Sequence, residues 1–322
     1  LNTLSTTASS TASPLMTPTA TGTPGGGTPT TTATPTPTAT PRRTAFDYDG
    51  DGRSDISLFR PSISYWYFQL SQDGVTWLPF GFGSNRIIPA DYNGDGKTDL
   101  AAFYQSGSAG FWAITNNFFI GQVTSYYFGL LDDLPTPADY DGDAKADRSV
   151  YRPSNGTWYR QNSSNGAFFT VRWGLSEDKP TIGDFDGDGK ADIAVFRPST
   201  GVWYRINSSD GSIYGEWFGL GSDVLVPADY DGDGKTDIAV YRPSTGIWYI
   251  KNSSSGAIVY SYFGLSDDIP SPADYDGDGK ADICVFRPSD GNWYWQTSSD
   301  GALHGFHFGQ SGDQPTQAAF RY

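Results

Sequence analysis

The chain of 322 residues holds one cysteine, one methionine and two histidines. Its only glutamates are Glu177 and Glu216. A lone Cys284 excludes a disulfide within the chain, and it lies in Asp-Ile-Cys-Val-Phe where sibling segments carry Ala194 and Ala239, so it reads as a small core residue. His304 and His307 share one short stretch with no Ser or Cys nucleophile motif beside them. No pair of unassigned carboxylates suggests a glycosidase acid and base, so an enzyme is not expected. Helix-forming runs are scarce, and no run of 18 apolar residues offers a membrane-spanning helix. Positive charge is also short. Twenty-one Lys and Arg face 36 Asp and Glu, a net charge of −15 without a basic stripe, which argues against nucleic acid as a partner.

What is present is repetition. Asp229-Tyr-Asp-Gly-Asp-Gly-Lys-Thr-Asp237 has acidic side chains at positions 1, 3, 5 and 9, and a glycine at position 6 for a sharp turn. Oxygen ligands at this spacing, closed by a backbone carbonyl at position 7, suit Ca²⁺ better than a softer metal. In this loop the ligand candidates are Asp229, Asp231, Asp233, Asp237 and the carbonyl of Lys235. The other sets are Asp47, Asp49, Asp51, Asp55 with Arg53, and Asp91, Asn93, Asp95, Asp99 with Lys97. The third and fourth are Asp139, Asp141, Asp143, Asp147 with Lys145, and Asp184, Asp186, Asp188, Asp192 with Lys190. The last is Asp274, Asp276, Asp278, Asp282 with Lys280. Up to six Ca²⁺, one per repeat, are expected. The loops hold 23 of the 36 acidic residues, so the acidity reads as charge awaiting a cation.

Loop starts at 47, 91, 139, 184, 229 and 274 repeat every 44 to 48 residues, the length of one four-stranded blade. The expected fold is all-β, a six-bladed β-propeller over 44–322. In the fifth repeat, Ile238–Arg242, Ile247–Lys251 and Ile258–Phe263 read as strands, with Asp268–Asp274 supplying a fourth. Trp66, Trp112, Trp158, Trp203, Trp248 and Trp293 recur at one position and are expected to pack between blades. Arg60, Arg152, Arg197, Arg242 and Arg287 recur before Pro-Ser and are expected to pair with loop carboxylates or stack on an aromatic; the second repeat is read as having Gln105 there.

The pattern resembles the FG-GAP and VCBS-type calcium-binding propeller repeats, the family that includes the integrin α-subunit head. The Asp-x-Asp-x-Asp-Gly-x-x-Asp loops carry the resemblance. So do the pairs Phe82-Gly83, Phe128-Gly129, Trp173-Gly174, Phe218-Gly219, Phe263-Gly264 and Phe308-Gly309. It implies a calcium-binding propeller over about 45–322 and leaves activity open, because the family spans adhesion heads, lectins and enzyme appendages. Two loops depart from the pattern: Asn93 replaces an Asp, and Ala144 replaces the turn glycine, which should make the third site the weakest.

Residues 1–43 form a Thr/Ser/Pro-rich segment whose first 41 residues carry no Asp, Glu, Lys or Arg. Such a segment does not fold alone; it reads as an O-glycosylated stalk or as a segment donated to a neighbour. Asn162-Ser-Ser, Asn207-Ser-Ser and Asn252-Ser-Ser match glycosylation sequons but read better as hairpin turns, and Asn155-Gly-Thr is a fourth match. Both 41–47 and 314–320 fit the strand slot that closes the ring, a redundancy compatible with head-to-tail self-association. Without disulfides, Ca²⁺ is the expected staple, which favours a secreted or cell-surface protein; a chain opening at Leu1 fits a processed terminus. The expected role is a structural subunit of an extracellular or cell-surface assembly such as a filament. The alternative is an adhesive or lectin-like module that recognises a glycan or protein ligand.

Overall fold

The computed structural model describes residues 44–116 and 122–322. The expectations for the stalk fall on 1–43, outside the described residues. Six four-stranded antiparallel sheets form the blades. In the fifth, the strands from inside outwards are Val224–Leu225, Ile238–Arg242, Ile247–Lys251 and Ile258–Tyr262. Burial is greatest in the second strand and falls from there outwards. Ile238–Tyr241 are buried, whereas Ile258, Val259, Tyr260 and Tyr262 are exposed. The continuous apolar run Ile-Ala-Val-Tyr is what a strand covered on both faces requires.

The innermost strand belongs to the blade that follows it in sequence. Ile269–Pro270 pairs with Ile283–Arg287 through Ile269↔Phe286 and Pro270↔Val285, so it opens the sixth blade and does not complete the fifth. In the second to sixth blades each acidic loop therefore connects the innermost strand of a blade to the second. The chain makes that turn within one antiparallel pair, marked in the sixth blade by the bridge Ala273↔Asp282.

Blades meet through apolar clusters that each draw on two neighbours. Phe185, Phe196 and Trp203 of the fourth blade pack with Ile238 and Val240 of the fifth. Tyr275, Cys284, Phe286 and Trp293 of the sixth pack with Ile56 and Leu58 of the first. The six repeated tryptophans are buried, and each indole N–H donates to a carbonyl 14 to 16 residues on, at 2.8–3.0 Å. The acceptors are Phe80, Phe128, Trp173, Phe218, Phe263 and Phe308, the aromatic members of the repeated aromatic-Gly pairs. In the first blade that pair is therefore Phe80-Gly81. Phe82 is 61% exposed, because the first repeat is one residue shorter than most and the sequence offers two Phe-Gly pairs in tandem.

Both candidate closing segments are used, in different ways. Gln314–Pro315 takes the innermost strand position of the first blade, with Leu58↔Pro315 and Phe59↔Gln314 in register. Phe46 only receives the Asp55 N–H at 2.8 Å, the contact that Ala90 makes with Asp99 in the second blade. A 3-10 turn at Thr316–Ala318 follows the closing strand, and Gln317 Nε2 donates to the Asp55 carbonyl at 2.7 Å. The ring thus closes within one molecule, and no sheet edge is left at the seam. Among the described residues no helix is long and apolar enough to cross a membrane.

Candidate metal centre

Each acidic loop is held by its own carboxylates before any cation is considered. Asp229 accepts N–H bonds from Gly232 at 2.6 Å and from Gly234 at 2.9 Å, so position 1 winds the loop around itself. Asp237, at position 9, accepts from Tyr230 N at 2.8 Å and from Ser253 N at 2.6 Å. The same pairs recur around the ring, for example Tyr275 and Ser298 on Asp282. Positions 1, 3 and 9 converge: in five loops one carboxylate oxygen from each lies within 4.8 Å of the other two. The triads are Asp47, Asp49, Asp55; Asp139, Asp141, Asp147; Asp184, Asp186, Asp192; Asp229, Asp231, Asp237; and Asp274, Asp276, Asp282.

Position 5 is not part of that convergence. Asp233 instead accepts from the Ser253 hydroxyl at 2.9 Å and from the Lys235 N–H, and Asp51, Asp143 and Asp188 are held in the same way by Ser71, Ser163 and Ser208. The turn between the third and outer strands therefore caps the loop. Its second serine reaches position 3, as Ser209 reaches Asp186 at 2.7 Å. This gives the Asn-Ser-Ser repeat a structural reason. Asn162 and Asn207 are buried at the head of that turn, whereas Asn155 is exposed.

The second loop differs. Asn93 Nδ2 donates to Asp95 at 3.1 Å and to Asp99 at 3.3 Å, so an amide supplies part of what a cation would supply in the other loops. In the third loop, Ala144 adopts φ +68°, in the left-handed region that its glycine counterparts occupy at 86° to 89°. Its N–H still donates to Asp139 at 2.7 Å, so the loop keeps its shape against backbone strain.

Burial pushes the carboxyls of Asp47, Asp139, Asp184 and Asp274 up, with the loops' other carboxylates adding to the effect and backbone N–H bonds opposing it. At position 9 burial is again the main cause, raising Asp55 to about 7 and Asp282 to about 6. Clustered, half-desolvated carboxylates of this kind are the donor set of an oxygen-preferring divalent ion. Five loops fit that group; the second fits it less well. The residues at positions 1, 3 and 9 would hold it, with position 5 and the position 7 carbonyl within the same loop.

The loops are also tied to one another. The N–H of position 8 donates to the position 1 carbonyl of the preceding loop at 2.6–2.7 Å in all six junctions, from Thr98 on Asp47 to Ser54 on Asp274. The position 7 side chain lies over the position 4 glycine of that preceding loop, Lys280 on Gly232 and Arg53 on Gly277 among them. Lys97 Nζ also donates to the Asp49 carbonyl at 2.5 Å. The result is a continuous belt of loops around one end of the central channel.

The FG-GAP-like repeat family matches residues 47–102 and 184–240, and the FG-GAP repeat family matches 221–260. These matches fall on the acidic loops and the strands that frame them, repeated around a six-bladed ring. The chain is an FG-GAP-type β-propeller. No curated protein sequence matches it. Solved structures similar to the FG-GAP propeller include a lectin of Agrocybe aegerita described as recognising non-reducing terminal N-acetylglucosamine, with TM-score 0.54, 14% identity, and coverage of 79% of this chain and 90% of the lectin. BBS1N in complex with ARL6DN is similar at TM-score 0.51 and 13% identity, covering 86% and 88% of the two chains. A catalytically inactive virginiamycin B lyase of Staphylococcus aureus reaches TM-score 0.50 at 10% identity, covering 79% and 80%. At such identities the likeness is one of fold.

The repeated arginines of the FG-GAP propeller do not pair with loop carboxylates. Each makes a two-pronged ion pair with a separate aspartate beside the innermost strand: Arg60–Asp313, Arg152–Asp133, Arg197–Asp178, Arg242–Asp223 and Arg287–Asp268, at 2.7–2.8 Å. These aspartates are almost fully buried, and each guanidinium also stacks over a tyrosine, such as Tyr249 at 4.5 Å from Arg242. Planar, bidentate geometry is why the position is Arg and not Lys. The sequence reading missed the aspartates, although in four of the five pairs the aspartate precedes its arginine by 19 residues within a blade, a recurrence visible in the repeat; Asp313 instead comes from the far end of the chain, 253 residues after Arg60.

The second blade has neither partner. Register places Tyr104, not Gln105, opposite Phe111 at the arginine position, because the hairpin that follows is longer in this blade. Nineteen residues earlier stands Asn85 instead of Asp. Both charges are replaced together, as expected when a buried charge left alone is costly. Tyr104 packs on Phe82 and Phe111.

Proposed function

We propose that the FG-GAP propeller is a Ca²⁺-stapled structural subunit that works outside the cell, in a surface or extracellular assembly. The belt of six interlinked acidic loops carries this reading: cations bound there would brace every blade junction of a fold without disulfides. Millimolar extracellular Ca²⁺ keeps even weak sites of this kind filled. In this reading the chain is not an enzyme, since its carboxylates are committed to loops and ion pairs. The stalk at 1–43 carries O-linked glycan or docks on a neighbouring subunit, giving head-to-tail association and filaments. Negative-stain imaging of the native material tests this directly. Polymers that shorten in EDTA are expected. A monodisperse monomer whose melting temperature ignores EDTA would sink the proposal.

A second reading is a glycan-binding module. It is favoured by a cavity of about 360 Å³ beside the outer strand of the fourth blade, where Trp203, Tyr204, Tyr214 and the 69%-exposed Trp217 meet Arg205 and Glu216. Aromatic faces with a few polar groups suit a sugar. The lectin likeness is compatible with it. Glycan-array binding by the purified monomer, lost in Trp217→Ala, would support this reading over the structural one.

A further inference from the structure

The bonds that join neighbouring acidic loops run between the groups expected to hold the ions. The Lys235 carbonyl, a ligand candidate of the fifth loop, belongs to the same peptide group as the Thr236 N–H. That N–H donates to the Asp184 carbonyl of the fourth loop at 2.6 Å. Among the described residues no peptide bond is cis, and a trans peptide points its N–H and C=O in opposite directions. With its N–H turned to the fourth loop, this group turns its C=O away from it.

The chain of bonds continues into the fourth loop. The Asp184 carbonyl shares its peptide group with the Phe185 N–H, which donates to Asp192 Oδ2 at 2.8 Å. Asp192 is the position 9 member of that loop's carboxylate triad. Two peptide groups in series therefore lead from a ligand candidate of one loop to a ligand candidate of the loop before it. The same two bonds recur at all six junctions, the first at 2.6–2.7 Å and the second at 2.7–3.0 Å. At the seam they are Ser54 N–H on Asp274 and Tyr275 N–H on Asp282, so the relay closes around the ring. A side-chain contact runs beside it. A Cβ at Gly50, Gly94, Gly142, Gly187, Gly232 or Gly277 would lie 2.6–3.0 Å from the stem of the position 7 Lys or Arg of the following loop. Position 4 is therefore glycine in every repeat: the stem fills the space, and φ there is +80° to +85°.

We propose that these relays couple the six loops, so that filling one with a divalent cation raises the affinity of the two beside it. This rests on the reading of the loops as Ca²⁺ sites. In an ion-free loop, carboxylates whose oxygens lie within 4.8 Å of one another repel. Fixing the Lys235 peptide at its carbonyl holds the Asp184 backbone through Thr236 and the Asp192 carboxylate through Phe185. The ligands of the fourth loop then stay converged against their own repulsion. Linkage makes the effect reciprocal, so the fourth loop acts equally on the fifth. The fall in net negative charge as loops fill works the other way, and salt screens it over about 8 Å at roughly 0.15 M.

The test uses the full chain, stripped with EDTA and titrated with CaCl₂ at that salt concentration, with amide hydrogen exchange read loop by loop. Asp231→Asn with Asp233→Asn disables the fifth loop, and the first change copies Asn93, which the second loop already accommodates. The Ca²⁺ midpoint for protection of Gly187 and Gly189 in the fourth loop, and of Gly277 and Gly279 in the sixth, should rise by about fivefold or more, the lower end of coupling between sites. Gly94 and Gly96, across the ring, should keep their midpoint. Asp276→Asn with Asp278→Asn should in the same way weaken the first loop, read at Gly50 and Gly52, although it lies at the other end of the chain. Unchanged midpoints in the neighbouring loops would overturn the coupling. An equal shift in every loop would overturn it too, because that marks a general loss of stability. If the unmodified chain takes up no Ca²⁺ the staple reading falls as well, whereas uptake at independent sites overturns the coupling alone.

Discussion

Ala144 offers the sharpest test of how the loops are built. It holds φ +68° at the turn where the other loops have glycine. A Cβ added at the equivalent Gly52, Gly96, Gly189 or Gly234 would touch nothing within 4 Å, so the methyl group is sterically free and the whole cost is conformational. An L-residue in the left-handed region costs about 1–2 kcal/mol. Alanine recovers about 0.4–1 kcal/mol of that by restricting the unfolded chain. Ala144→Gly should therefore stabilise the propeller by about 0.5–1 kcal/mol, a rise in Tm of roughly 1–3 °C for a domain of this size. Gly234→Ala should cost the same amount. Differential scanning calorimetry on both variants, in Ca²⁺ and again in EDTA, reads the effect. If Ca²⁺ relies on this turn, the difference will be larger with the ion present. The reasoning fails if Ala144→Gly lowers Tm, or if Gly234→Ala leaves it unchanged.

Other consequences can be measured in the same preparations. Asp223→Ala leaves Arg242 unpaired and should cost about 3 kcal/mol, the low end for a broken buried pair because the guanidinium keeps about a fifth of its surface in water. The double change Asp223→Asn with Arg242→Tyr, copying the second blade, should cost clearly less than that single change in urea unfolding; an additive or larger loss would contradict the paired-replacement argument. Asn93→Asp should convert the second loop into a full carboxylate set, and calorimetric titration with Ca²⁺ should then gain a site or tighten its weakest one. Cys284 is fully buried, and burial drives its thiol pKa far above the usual range, so it should ignore a disulfide reagent in the native state and react only on unfolding. Prompt native labelling would place it outside the core.

Much of the architecture was legible because it is periodic and local. The spacing of Asp139, Asp184, Asp229 and Asp274 reports the blade repeat, and the loop chemistry lies within nine consecutive residues. The tryptophans could be assigned to the core from their recurrence alone. Pairing across long separations was less legible. The arginines were seen but not their partners, because Asp178 and Asp223 looked like members of an acidic background. The Gln105 and Phe82 assignments slipped by one or two residues, since the shorter first repeat and the lengthened hairpin of the second shift register where no local signal marks it.

By itself the sequence determined the number of blades, the position of the acidic loops and their carboxylate make-up, and the departures at Asn93 and Ala144, since each is a property of a short contiguous stretch. Only the tertiary structure decided that Gln314–Pro315 closes the ring, that the loops hydrogen-bond into one belt, and that Phe320 packs on the cluster of Ile88 and Trp112. These are contacts between residues far apart in the chain. Whether two such groups meet is set by how six nearly identical sheets pack and close, and no single stretch carries that information.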